Sequence, residues 1–158
     1  MRAEKDFVEF LGLLNKSKVK YLIIGAYAVG FYGYPRFTKD IDILVEPSLE
    51  NARKVIMALK EFGINSPDLT EDDFSQENNI VQLGYDPVRI DIMTSIEGFK
   101  FEDIWKNKEM GNYGNERVFF IGFEELIESK KKAGRDLDLM DVKKLIKRNK
   151  IKKGRYLS

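Results

Sequence analysis

Hydrophobic positions along this chain change their period at glycines and prolines, and each change marks an element. Over residues 3–15, Phe7, Phe10, Leu11 and Leu14 recur at i, i+3, i+4 and i+7, which predicts an amphipathic helix lying on a core. A basic turn over 16–20 leads into the apolar run Tyr21 to Ile24, a short buried strand that Gly25 ends. The small-residue segment with Ala26, Ala28 and Gly30 predicts a short helix, broken by Gly33 and Pro35. Asp40-Ile41-Asp42-Ile43-Leu44-Val45 then reads as a second strand. Ser48 is a helix N-cap, the face of Leu49, Ala52, Val55, Ile56, Leu59 and Phe62 is apolar, and Gly63 is the C′ residue. Residues 64–79 read as a loop holding one short turn of helix around Phe74, capped by Thr70.

The second half continues the alternation. Residues 80–84 and 88–94 read as strands joined by Tyr85-Asp86-Pro87. Residues 97–110 are expected as a helix with Phe101, Ile104 and Trp105 inward, 111–115 as a turn, and 117–121 as a strand. From Phe123 a helix begins with Leu126 and Ile127 inward. Val142, Leu145 and Ile146 pack the start of a last helix. The whole is an α/β (α+β) pattern: one domain over 1–158, with a core of about 18–122, C-terminal helices over about 123–150 and a basic tail at 151–158.

The polar positions inside this pattern carry the chemistry. A strand has a side-chain period of two, so Asp40 and Asp42 share one face and Ile41 and Ile43 the other. Two carboxylates so close repel, and a divalent cation between them reverses that. All-oxygen ligands on a rigid strand suit Mg²⁺, which takes one or two carboxylates together with phosphate oxygens. The Gly25-Ala26 turn opens a helix just upstream, where unpaired N–H groups can receive a phosphate. On the later strand, Arg89, Asp91 and Met93 share a face, and alone the Arg–Asp neighbours read as a surface ion pair.

The stretch GAYAVGFYGYPRFTKDIDILV resembles the nucleotidyltransferase superfamily that includes DNA polymerase beta. Within it, the stretch is similar to the small prokaryotic branch related to abortive-infection and toxin–antitoxin nucleotidyltransferases. The tight match covers residues 21–45, with Gly25, Arg36, Thr38, Asp40 and Asp42 as motif members, and a looser one reaches the C-terminal helices. Ala26 stands where such proteins carry Gly or Ser, so a hydroxyl is missing while the backbone N–H remains. The resemblance implies the nucleotidyltransferase fold, a small mixed sheet carrying three Asp residues. It also implies two Mg²⁺ ions held by Asp40, Asp42 and Asp91, with Asp91 helping to activate the attacking hydroxyl. Gly25, Ala26, Arg36, Thr38 and Lys130 would bind the NTP. Relatives carry Lys, Gly-Arg and two spaced Asp residues near the end, here Lys130, Gly134, Arg135, Asp138 and Asp141. If that segment is helical throughout, Lys130, Gly134, Asp138 and Asp141 share one face.

Composition narrows the chemistry. There is no Cys and no His, which removes thiolate and imidazole catalysis and ordinary zinc sites. A formal net charge of +1 gives no global attraction to nucleic acid, so any such attraction is local. Lys143, Lys144, Lys147, Arg148, Lys150, Lys152, Lys153 and Arg155, with no acid among them, form such a patch. No apolar stretch is long enough to span a membrane and no signal peptide is visible, so a cytoplasmic protein is expected. The expected function is Mg²⁺-dependent transfer of an NMP from an NTP to a hydroxyl acceptor, RNA or tRNA or a partner protein in a toxin–antitoxin-like system. A small-molecule, antibiotic-type nucleotidyltransferase is one alternative. A catalytically inactive nucleotide-binding or antitoxin-like subunit is the other, with Ala26 in its favour.

Overall fold

The computed structural model describes residues 4–35, 39–85 and 88–157, with side chains as far as residue 150. Arg36 and Thr38 lie outside the described residues, as do Asp86 and Pro87 of the expected turn. Helix α1 is Lys5–Lys16, followed by strand β1, Tyr21–Ile24, helix α2, Gly25–Phe31, and strand β2, Asp40–Val45. Helix α3, Leu49–Phe62, and the single turn α4, Asp72–Ser75, lead to strands β3, Ile80–Tyr85, and β4, Val88–Met93. Helix α5, Phe101–Lys106, strands β5, Glu109–Tyr113, and β6, Glu116–Phe120, and helices α6, Phe123–Ala133, and α7, Asp136–Leu157, complete the chain. None of the described helices is long and apolar enough to cross a membrane.

The six strands form one mixed sheet in the order β3-β4-β2-β1-β6-β5. β1 runs antiparallel to β2 and parallel to β6, and β2 runs parallel to β4. This register sorts the side chains by face. Ile41 pairs with Ile90 and Ile43 with Ile92, and all four are buried. Phe7, Phe10, Leu11 and Leu14 of α1 and Ala52, Val55, Ala58 and Leu59 of α3 join them in the core. α1 and α3 follow the spacing of their apolar residues, and α3 has both expected caps. Ser48 Oγ accepts from Asn51 N at 3.2 Å, and Gly63 takes a left-handed φ of 105°.

Two departures from the sequence expectation have local causes. Residues 97–110 are not one helix: α5 is a short helix, and Glu109–Tyr113 is an edge strand paired with β6. Pairing with a neighbouring strand satisfies backbone groups that a helix ending at Gly111 would leave weakly supported. Gly111 also lies against the rings of Phe31 and Phe120, where a Cβ would collide. The expected turn at 111–115 shrinks to Gly114-Asn115, with Gly114 at φ 62°. Thr70 does not cap α4 with its hydroxyl; its backbone N–H donates to Asp73 Oδ2 at 2.8 Å.

One buried polar residue fastens the strand pair that carries Asp42. Asn51 on α3 is 3% exposed; its Oδ1 accepts from Lys20 N at 2.8 Å. Its Nδ2 donates to the carbonyls of Lys20 and Glu46, each at 3.1 Å. Lys20 and Glu46 flank the joined ends of β1 and β2. Truncation would leave the Lys20 N–H without its partner, while the two carbonyls keep the N–H groups of Glu46 and Ser48, so Asn51→Ala should cost about 1–3 kcal/mol. Urea unfolding would read this as a lower midpoint with an unchanged slope, and a change under 1 kcal/mol would contradict the assigned role.

Candidate active site

The second face of β2 and β4 is polar. Asp42 sits directly opposite Asp91 and Asp40 opposite Arg89. Adjacent strands are about 4.7–4.9 Å apart, so the Asp42 and Asp91 carboxylates meet across one strand spacing. At an effective dielectric near 20, two unit charges about 5 Å apart repel by roughly 3 kcal/mol. Asp91 is 5% exposed, and Asp42 is partly buried. Burial first, then the charges of Asp91 and Asp40, push the Asp42 carboxyl up to about 6, against the opposing pull of Arg89. Three carboxylates on one face therefore favour a cation beside them.

Arg89 supplies part of it. Its Nε and Nη2 donate to the two oxygens of Asp91 at 3.2 and 3.1 Å, and Nη2 also lies 2.7 Å from Asp40 Oδ2. This is a bidentate fork on one carboxylate with a third arm to another. The Arg–Asp neighbours of β4 are thus an ion pair, as their spacing suggests, but one built into the centre of the acidic face.

Gly25 closes the site from the side of β1. Its φ is +70°, and a Cβ there would overlap Asp42 Oδ2. Glycine is required twice over, by the left-handed backbone and by contact with the carboxylate. Gly25 and Ala26 begin α2, so its first-turn N–H groups, which have no intrahelical partner, lie beside Asp42.

The C-terminal motif is assembled differently from the single-helix expectation. The helix stops at Gly134, which is left-handed at φ 68°, and α7 restarts at Asp136. Lys130, Asp138 and Asp141 still come together, because α7 folds back onto α6. Lys130 is 7% exposed, and its Nζ lies 3.3 Å from Asp138 Oδ1 and 3.0 Å from Asp141 Oδ2. Arg135 Nε donates to Asp138 Oδ2 at 2.7 Å. Burial pushes the Asp138 carboxyl up, but Arg135 and Lys130 outweigh it and hold it below its usual range. The guanidinium of Arg135 is held above its usual value by its bond to Asp138 and that carboxylate's charge, with a further contribution from Asp42. Arg135 is therefore within electrostatic reach of the acidic face, and its side chain is 80% exposed. α7 continues through the expected tail to Leu157.

The structure thus brings Gly25, Ala26, Asp40, Asp42 and Asp91 to one place. Lys130 is buried in an ion cluster with Asp138 and Asp141, and Arg135 shares Asp138 with it. Arg89 and Arg135 were passed over as site residues. The period-two spacing of Arg89 and Asp91 carried the signal for the first, and the Gly134-Arg135 pair of the C-terminal motif carried it for the second.

The donor set, carboxylate oxygens with excess negative charge, fits a hard divalent cation. Among the described residues no three such side chains already converge on a metal-sized point. The guanidinium of Arg89 lies across two of them.

Solved structures share this arrangement of strands and helices. A Thermotoga maritima protein assigned as a nucleotidyltransferase superposes with a TM-score of 0.60 at 19% identity, over 88% of this chain and 89% of that one. The lincosamide antibiotic adenylyltransferase LnuA, solved with lincomycin bound, gives 0.60 at 21% identity, over 91% and 96%. ANT(2″)-Ia, in complex with adenylyl-2″-tobramycin, gives 0.55 at 12%, over 94% and 95%. No family profile matches the sequence, and no curated protein matches it. The fold is that of the nucleotidyltransferases, with a six-stranded mixed sheet and helices on its faces.

The Asp42 environment has a consequence for stability. An acid raised from 3.8 to about 6 holds its proton more tightly folded than unfolded, so stability falls as pH rises through that interval. The penalty is absent below about pH 4 and complete above about pH 6. In metal-free buffer, Asp42→Asn should stabilise the protein at pH 8 by up to about 3 kcal/mol, with the gain vanishing toward pH 4. Urea unfolding of both proteins in a chelator at the two pH values tests this, and an equal difference at both would remove the argument.

Proposed function

We propose that this protein transfers a nucleoside monophosphate from an NTP to a hydroxyl acceptor, with Asp40, Asp42 and Asp91 as the metal-binding and catalytic carboxylates. The observation that carries the reading is the register of β2, which sets Asp42 beside Asp91 on β4 and, through its pairing with β1, against Gly25. The acceptor oxygen attacks the α-phosphorus, the bond to the β-phosphate oxygen breaks, and pyrophosphate leaves. The acceptor proton passes toward Asp91. Two Mg²⁺ ions held by the three carboxylates would supply neutralisation of the phosphate charge and of the developing alkoxide. The backbone at Gly25 and Ala26 cradles the phosphates, and Ala26 contributes through its N–H because it has no hydroxyl. Arg36 and Thr38 of the motif complete the NTP contacts. Arg135 reaches the triphosphate from the opposite wall. Lys130, tied to Asp138 and Asp141, fixes the α6–α7 corner from which Arg135 projects, and contributes charge to the NTP from there. The work is positioning and charge neutralisation, with no covalent intermediate.

For the acceptor, the reading takes RNA, a tRNA end included. Lys143, Lys144, Lys147, Arg148 and Lys150 on α7, with no acid after Asp141, favour a polyanion. Lys144 and Arg148 lie against Tyr34 and Gly33, in the segment leading from α2 to β2. This fits a toxin–antitoxin-like role in which RNA is modified. A second reading, a small hydroxylated acceptor, is favoured by the likeness to LnuA and ANT(2″)-Ia over nearly their whole lengths.

The test is a labelling assay with Mg²⁺, each α-labelled NTP, and RNA, protein and small-molecule fractions of a cell extract as acceptors. Label should enter the RNA fraction, at least about 100-fold less with Asp42→Asn and several-fold less with Lys130→Ala. Label in the small-molecule fraction would select the second reading. No label in any fraction, with NTP still bound, would select an inactive binding subunit, for which Ala26→Ser is the next variant.

A further inference from the structure

We propose that Arg89 is a resident counter-ion of the acidic face, and that its guanidinium competes with a divalent cation for Asp91 and Asp40. The inference rests on the reading of Asp40, Asp42 and Asp91 as a metal site and adds a positioning residue to it. Its basis is geometric. Both oxygens of Asp91 accept from Arg89, at 3.2 and 3.1 Å, and the same Nη2 is 2.7 Å from Asp40 Oδ2. The fork takes one lone pair on each oxygen of Asp91, so a cation that reaches this carboxylate meets the guanidinium charge on the same group. The Asp91 side chain is 8% exposed, so water is a poor substitute for either partner. The two cations therefore compete for one carboxylate.

Arg89 is placed to exchange. Its own side chain is 35% exposed, against 8% for Asp91, so the guanidinium can swing outward while its partner stays in place. The strand pairing fixes the Cα of Arg89 opposite Asp40 and two residues before Asp91, which keeps the displaced charge beside the site. There it faces the region where an NTP would bring negative charge. In the metal-free protein the guanidinium holds the carboxylates together, and in the loaded protein it is released toward the phosphates. Arg89 thus sets the metal concentration at which the site fills.

The experiment is titration calorimetry with Mn²⁺ and Mg²⁺ on the parent, Arg89→Gln, Arg89→Lys and Asp42→Asn, paired with melting curves in chelator and in saturating metal. Removing the competing charge should tighten metal binding at least about tenfold in Arg89→Gln. The same variant should melt lower than the parent in chelator, and saturating metal should close most of that gap. Arg89→Lys, a point charge without the fork, should fall between the two in affinity. It carries the same test if Arg89→Gln does not fold without metal. A purely structural Arg89 would lower the melting temperature equally with and without metal and leave affinity unchanged or weaker; that result, with Asp42→Asn unable to bind, would overturn the counter-ion role alone. Asp42→Asn binding metal as tightly as the parent would overturn the metal site itself.

Discussion

The fold is arranged around a concentration of like charge, three carboxylates on one face with Arg89 bridging two of them. Parallel pairing of β2 with β4 puts Asp42 beside Asp91, and the same register puts Asp40 beside Arg89. Ile41, Ile43, Ile90 and Ile92 on the reverse of the same strands are buried. A slip of one residue would send the carboxylates into that core, so the hydrophobic face locks the register. The core thus holds charges together that would separate in a freer chain. A raised Asp42 and a bridging Arg89 are the two visible responses to that confinement.

Other polar groups are spent on holding this frame. Asn51 ties the joined ends of β1 and β2 from the helix behind them, and Gly25 gives Asp42 the space a side chain would take. At the far corner Lys130 is buried with two carboxylates, an arrangement in which loss of either sign leaves the other stranded. That cluster ties α6 to α7 and holds Arg135 through Asp138. Acidic centre and basic corner are separate in sequence and electrostatically joined in space.

Much of this was legible beforehand because it is local. The period of two through Asp40 and Asp42, the Gly25 break and the Ser48 and Gly63 caps each follow from a few neighbouring residues. The motif from 21 to 45 also pointed to the fold that LnuA and the Thermotoga maritima protein display. The errors have a common source. Reading residues 109–110 as the end of a helix and 111–113 as a turn misses this strand, because its partner is not visible in a one-dimensional pattern. Lys130 and the two Asp residues were given one helical face, although Gly134 breaks the helix and the packing of α7 on α6 brings them together.

By itself the sequence determined which residues of β2 and β4 share a face, where α1 and α3 lie, and that neither thiolate nor imidazole chemistry is open to the chain. Those are consequences of side-chain period, capping and composition, which act over a few residues. Only the tertiary structure decided that Asp42 and Asp91 stand opposite each other, that Arg89 takes both oxygens of Asp91, and that Lys130 is buried between Asp138 and Asp141. Each depends on which elements become neighbours and, for the strands, in what register. That is settled by burying the isoleucine face and packing the last helices, an energy spread over the whole core and written in no single stretch.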